Sequence, residues 1–226
     1  MQTPVVVDFP LQGEWISPNT PGTRVPSHGT ELFGTRYAYD FIGIDPGSRK
    51  NRFFRPGALQ YLVFGVSLPD FFGWGRPIYA ASAGVVVQAA DGMPERDPVH
   101  PIRDNLLRLQ NARAARSNPA LDFQTLTGNH IIVETGDGYA VYAHAQTGSI
   151  RVKPGDRVTP GQHLANVGHS GNSTAPHLHF QLMDQLDPRK AQGILCCFRE
   201  YEVFENGVWR PVRNGIPKAT DRIRKL

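Results

Sequence analysis

The chain is short of the features that would tie it to a disulfide scaffold, a membrane or nucleic acid. Only two of its 226 residues are cysteine, and these are neighbours, Cys196 and Cys197. Adjacent cysteines make neither the spaced framework of a small secreted domain nor a spaced metal pair, so they read as two buried thiols. No apolar run approaches the length of a bilayer-spanning helix, and Met1-Gln2-Thr3-Pro4 lacks a basic segment followed by an apolar one. The expectation is a cytoplasmic protein if this N-terminus is native, or a periplasmic or extracellular one if an export signal has been removed. The net charge of +4 is mild, with basic residues clustered only at 103–116 and 222–225. Zinc-finger spacing, aromatic RNA-binding motifs and a long basic stripe are all missing, which excludes a nucleic-acid partner, and a monomer is expected.

Abundant instead are turn formers, with 23 glycines and 19 prolines, set between short runs rich in Val, Ile, Tyr and Phe. Strands and turns should therefore dominate a single core with one large insertion. Val5–Phe9 reads as an entry strand and 36–42 as an extended aromatic run. Ile78–Ala89 reads as two short strands, and His130–Glu134 and Tyr139–His144 as a hairpin across Thr135-Gly136-Asp137-Gly138. Ile150–Val152 and Arg157–Val158 read as an antiparallel meander. Phe198–Val212 reads as a hairpin turning at Asn206-Gly207, with loop and basic tail from Asn214. The β pattern breaks at 91–127, where Leu106, Leu109 and Ala112 recur at helical spacing over Asn105–Arg116.

The chemistry concentrates in Ala175-Pro176-His177-Leu178-His179-Phe180-Gln181-Leu182. Period-two alternation puts both imidazoles on one face of a strand and Leu178 and Phe180 on the other. Paired imidazoles are poor core material but good zinc ligands or proton carriers. Asp40, inside its aromatic strand, needs a partner, either a metal ion or an arginine such as Arg36.

Tyr142-Ala143-His144, the turn Val152–Val158, Gly161-Gln162 and above all Gly168-His169-Ser170-Gly171-Asn172-Ser173-Thr174-Ala175-Pro176-His177-Leu178-His179-Phe180 resemble the lysostaphin-type, or LytM-domain, zinc peptidases. With Gly75–Ala80 and Ala83–Val86 the resemblance covers residues 28–183. It implies a mainly β fold, a compact antiparallel sheet with a substrate groove, and one zinc ion per chain. It also implies hydrolysis of peptidoglycan peptides. Residues 1–27 would be an N-terminal extension with a strand, 91–127 a helix-containing insertion, and 184–226 a C-terminal extension with a β-hairpin. The resemblance maps zinc ligands onto His179 and Asp40, and the groups acting on water and the developing oxyanion onto His177 and His144. It departs at Arg36, which stands where the family places its other histidine ligand, and an arginine cannot bind zinc. His28, the one histidine upstream, is the expected substitute, reaching the metal from its loop. The alternative is a catalytically inactive domain of the same fold that binds cell-wall material or a partner protein, with Arg36 replacing the ion's charge.

Overall fold

Among the described residues fourteen strands, most of them in one sheet, account for the fold. The computed structural model describes residues 3–226 except Arg49 and Pro119, so Met1 and Gln2 of the N-terminal reading lie outside the described residues. In chain order the strands are β1 (Val5–Val7), β2 (Glu14–Asn19), β3 (Tyr39–Gly43), β4 (Pro77–Tyr79), β5 (Gly84–Ala90), β6 (Asn129–Thr135) and β7 (Gly138–Ala145). They continue with β8 (Arg157–Val158), β9 (His163–Asn166), β10 (Leu178–Met183), β11 (Gly193–Ile194), β12 (Cys196–Glu205), β13 (Val208–Gly215) and β14 (Arg222–Arg224). The main sheet runs β1-β12-β14-β2-β3-β10-β7-β6-β5-β8, with β11 on β10 and β13 on β12, while β4 and β9 pair separately. Every pairing is antiparallel except that of β1 with β12. The strands at both ends of the chain thus add to the sheet that holds the central ones.

The alternation in β10 positions the site. Leu178 and Phe180 are fully buried, and Phe180 joins an aromatic cluster with Phe9, Tyr39, Phe41 and Phe198 whose ring centroids lie 5.1–6.2 Å apart. Burying such side chains contributes about 1.5–3 kcal/mol each. One face of β10 is therefore anchored in the core, and the opposite face presents the histidines.

Among the described residues the α-helices are α1 (Ala58–Phe64), α2 (Pro101–Ser117) and α3 (Phe123–Thr127), with α1 against α2 and α3 against β6. Helix α2 contains the expected 105–116 segment but starts a turn earlier, with Pro101 in the first turn, where a missing N–H costs nothing. Its apolar stripe is not buried: Leu106 and Leu109 are exposed, and the one buried residue of α2 is Asp104. Three further expectations fail. Ile150–Val152 forms no strand, because Arg157–Val158 finds its partner in β5 rather than in a local meander. The region after Asn214 is not simply a tail, since β14 lies between β12 and β2. Arg36 and Tyr37 belong to a kinked 3-10 stretch, Leu32–Tyr37, and not to the extended run that follows.

Candidate metal centre and groove

Sheet register brings the central residues into one row. His179 on β10 pairs with Asp40 on β3 on one side and Ala143 on β7 on the other, and Asp40 pairs in turn with Asn19 on β2. Because Cβ atoms of directly opposed residues lie close together, His179 and Asp40 meet by register alone. His144 follows Ala143 with φ +63°, a left-handed conformation that costs a non-glycine residue roughly 1–3 kcal/mol. That conformation is held by the Gly168 N–H, which donates to the His144 carbonyl at 2.9 Å, and by His144 Nδ1–H, which donates to the Ser170 carbonyl at 2.9 Å.

His28 comes from the loop after β2. Its Nε2 lies 2.9 Å from Asp40 Oδ2, and His179 Nδ1 lies 2.9 Å from Asp40 Oδ1. The donor atoms of the three residues all fall within 4.8 Å of one another. The other nitrogen of each ring is committed elsewhere. Gln181 Nε2 donates to the Phe33 carbonyl at 2.8 Å, which turns Gln181 Oε1 to accept from His179 Nε2–H at 2.8 Å. Ser27 Oγ donates to the Thr35 carbonyl at 3.2 Å and so accepts from His28 Nδ1–H at 3.0 Å. Both rings then aim a lone pair at a carboxylate, an arrangement that is repulsive unless a cation or a proton lies between them. Tetrahedral zinc with bonds of about 2.0–2.1 Å sets its donors about 3.3 Å apart, within a few tenths of an ångström of the two 2.9 Å contacts. Two imidazoles and a carboxylate, oriented by outer hydrogen bonds, fit zinc with a fourth position open.

Two further imidazoles flank the cluster. The His177 and His144 ring centroids are 4.5 Å apart, and His177 Nε2 is 3.5 Å from Asp40 Oδ1. His177 Nδ1–H donates to the Ala175 carbonyl at 2.7 Å, with Ser173 Oγ at 3.1 Å. In both rings Nδ1 is thus engaged by main-chain oxygen, which leaves Nε2 for the groove. Burial alone would push the Asp40 pKa up, but the nearby His28 and His177 outweigh it and hold the carboxyl well below its usual range. Burial first, then the neighbouring His177 and His179, hold His144 well below the usual imidazole range. For His177, burial pulls downward, and the Asp40 charge and hydrogen bond overcome it to leave the pKa raised.

Arg36 takes no part in this cluster. It pairs with Glu31, donates from Nε to the Tyr37 hydroxyl at 3.0 Å and stacks on that ring. Asp40 instead accepts a hydrogen bond from Asn19 Nδ2 at 2.7 Å. Asn19 and Gln181 escaped the sequence reading, although Gln181 shares the parity of His177 and His179 and could have been found from it. Buried His130 and His169 lie outside the cluster. Cys196 and Cys197 are free and buried, as expected.

The site opens into a groove of about 510 Å³ whose walls include Arg24, Arg108, Ala112, Arg116 and Phe123. Asp40 is the single acidic residue among its lining residues, so the walls are cationic. Helix α2 forms one wall, giving the insertion a place beside the site.

Known proteins share parts of this chain. The model described as Peptidase family M23 matches residues 112–191. The glycyl-glycine endopeptidase ALE-1 of Staphylococcus capitis is 45% identical over 56 residues, 25% of this chain and 16% of that protein. The peptidoglycan DD-endopeptidase ShyA of Vibrio cholerae is 37% identical over 57 residues, 25% of this chain and 13% of that protein. Each match therefore spans less than a fifth of the relative's own length. The antimicrobial peptidase lysostaphin from Staphylococcus simulans is a structural neighbour with a TM-score of 0.36 and 29% identity, covering 62% of this chain and 44% of that one. His144, His177 and His179 all lie inside the stretch, less than half of this chain, that matches the peptidase family M23 model.

Proposed function

We propose that the protein is a zinc-dependent endopeptidase hydrolysing peptide bonds in peptidoglycan cross-links or stem peptides, and that it works in the periplasm or outside the cell. The observation that carries this reading is the convergence of His28 Nε2, Asp40 and His179 Nδ1 beside two further imidazoles at the floor of a groove. In this reading His28, Asp40 and His179 hold one zinc ion, which when bound supplies Lewis-acid polarisation of the scissile carbonyl and acidifies the attacking water. His144 and His177 divide the proton work: one Nε2 accepts the proton of the attacking water, and the other, carrying a proton, donates to the developing oxyanion. Gln181 and Ser27 keep His179 and His28 in the ring orientation that zinc requires. Arg24, Arg108 and Arg116 favour substrates with carboxylates beyond the scissile bond.

The test is incubation of the zinc-loaded protein with purified cross-linked muropeptides, followed by mass spectrometry, beside the His177→Ala variant. New amino and carboxyl termini from the parent protein, and none from the variant, are expected. A zinc-loaded parent protein that binds the muropeptides and releases no product would leave a cell-wall binding domain in place of an enzyme.

A further inference from the structure

A polar cluster between the insertion and the loop before His177 is not used by the zinc reading. Its centre is Asp104, completely buried in the first turn of α2. Arg96, half-buried, spans from it to the loop. Its Nε donates to Asp104 Oδ1 at 2.9 Å, its Nη1 to the Gly171 carbonyl at 2.8 Å, and its Nη2 to the Ser173 carbonyl at 2.7 Å. Asp104 is fixed in turn by the His100 N–H at 2.8 Å and by Arg103 Nε at 3.0 Å. A second route runs through buried His169. Its Nδ1 is 2.9 Å from Ser173 Oγ, and its Nε2 lies 3.5 Å from Asp104 Oδ2, a charge contact longer than a hydrogen bond. Both routes end on Ser173, whose Oγ is 3.1 Å from His177 Nδ1.

The chemistry of this brace indicates its purpose. Burying an ion pair is a poor way to gain stability, because desolvation offsets most of the attraction and apolar packing does as well or better. What a guanidinium adds is direction, since its planar fork fixes several acceptors at set angles. The loop it grips also needs fixing. Gly171 has φ +68°, and a Cβ there would come within 2.3 Å of the Gly128 nitrogen, so the chain threads a narrow passage on its way to His177.

We propose that Arg96, anchored by Asp104 of the insertion helix, is a positioning residue for His177. It fixes the carbonyls of Gly171 and Ser173 so that the Ser173 hydroxyl meets the His177 ring, and the insertion is thereby required for turnover. This rests on the reading of His177 as a catalytic residue.

The experiment uses zinc-loaded parent protein, Arg96→Ala and Arg96→Lys, and reads kcat and KM on cross-linked muropeptide, zinc content, and the ring proton–nitrogen correlations of the histidines. For Arg96→Ala, kcat falls about 10–100-fold while KM changes by less than about twofold and zinc is retained. The His177 ring signals broaden or double while those of His28 and His179 stay put. Arg96→Lys recovers little, because an ammonium cannot span three acceptors, whereas guanidinium ion added to Arg96→Ala restores part of kcat. An unchanged kcat with unchanged His177 signals overturns the proposal, and so does a loss of zinc that accounts for the whole fall. If Arg96→Ala does not fold, Arg96→Lys carries the test and is expected to give the same split between kcat and KM. If the parent protein hydrolyses nothing, the endopeptidase reading falls, and the His177 ring spectrum still decides whether Arg96 positions it.

Discussion

Replacing His28 by alanine is the sharpest test of the metal centre, because it separates a donor supplied by a loop from the arginine at the usual ligand position. Three donors converge, and His28 is the one brought in by no strand. A four-ligand structural zinc site in a peptide binds with about 10–16 kcal/mol, or about 2.5–4 kcal/mol per ligand. At 1.4 kcal/mol per tenfold, losing one donor weakens zinc by roughly two to three orders of magnitude. The loss is direct rather than a consequence of unfolding, since His28 is half-buried and Asp40 keeps its hydrogen bond from Asn19. Titration against a fluorescent chelator of known affinity measures the change. Arg36→Ala is the control: its guanidinium serves Glu31 and Tyr37, and zinc affinity should stay within about threefold of the parent, under 0.7 kcal/mol. A His28→Ala affinity within about tenfold of the parent, or an Arg36→Ala affinity that falls with it, would refute the assignment.

Gln181→Ala and Asn19→Ala leave all three donors in place but free a ring and a carboxylate, and should weaken zinc by about 10–100-fold in the same titration. His144→Ala should lower kcat by about 10²–10⁴-fold with zinc content unchanged, measured by peptide release and metal analysis. Paired Arg108→Gln and Arg116→Gln substitutions should raise KM for a carboxylate-bearing peptide and leave KM for its amidated analogue unchanged, with the difference shrinking as salt is added. His130 supplies a pH prediction. Burial depresses its pKa, its Nδ1 is engaged with the Gly128 carbonyl, and its Nε2 is buried without a partner. The unfolded chain therefore takes up the proton first, and stability is lost as pH falls through about 6.5, at up to about 1.4 kcal/mol per pH unit for this one group. Denaturant titrations from pH 7.5 to 5.5 should show that slope reduced in His130→Phe.

What could be read from the sequence was what repeats with the strand period or follows local turn chemistry. The His177-Leu178-His179 alternation, the hairpin across Thr135-Gly136-Asp137-Gly138 and the turn at Asn206-Gly207 all depend on neighbours within a few residues. The placement of His28 beside Asp40 and His179 depends on which strands lie next to one another, and no local pattern encodes that. The resemblance implied a ligand where Arg36 stands, and His28 was the upstream histidine left to supply it. Asp104 was hidden for the opposite reason. Helical spacing drew attention to Leu106 and Leu109, which turned out exposed, while the residue that α2 buries is the charged one, satisfied by Arg96 and Arg103 from outside the apolar pattern. Strand β14 was misread because a basic, three-residue strand has no signature until β12 and β2 offer it partners.

The position of β14 governs when the cleft comes into being. Synthesis delivers Arg222–Arg224 after the other described strands, yet these residues fill the gap between β12 and β2, and β2 carries the Asn19 that steadies Asp40. While the ribosome is still short of them, the sheet is split and the row from Asn19 to His179 lacks its support on one side. A chain stopped short of Arg222 therefore lacks the strand that joins β12 to β2. The row that gathers the three candidate donors is thus completed by residues about two hundred positions further along than the Asn19 they help to seat.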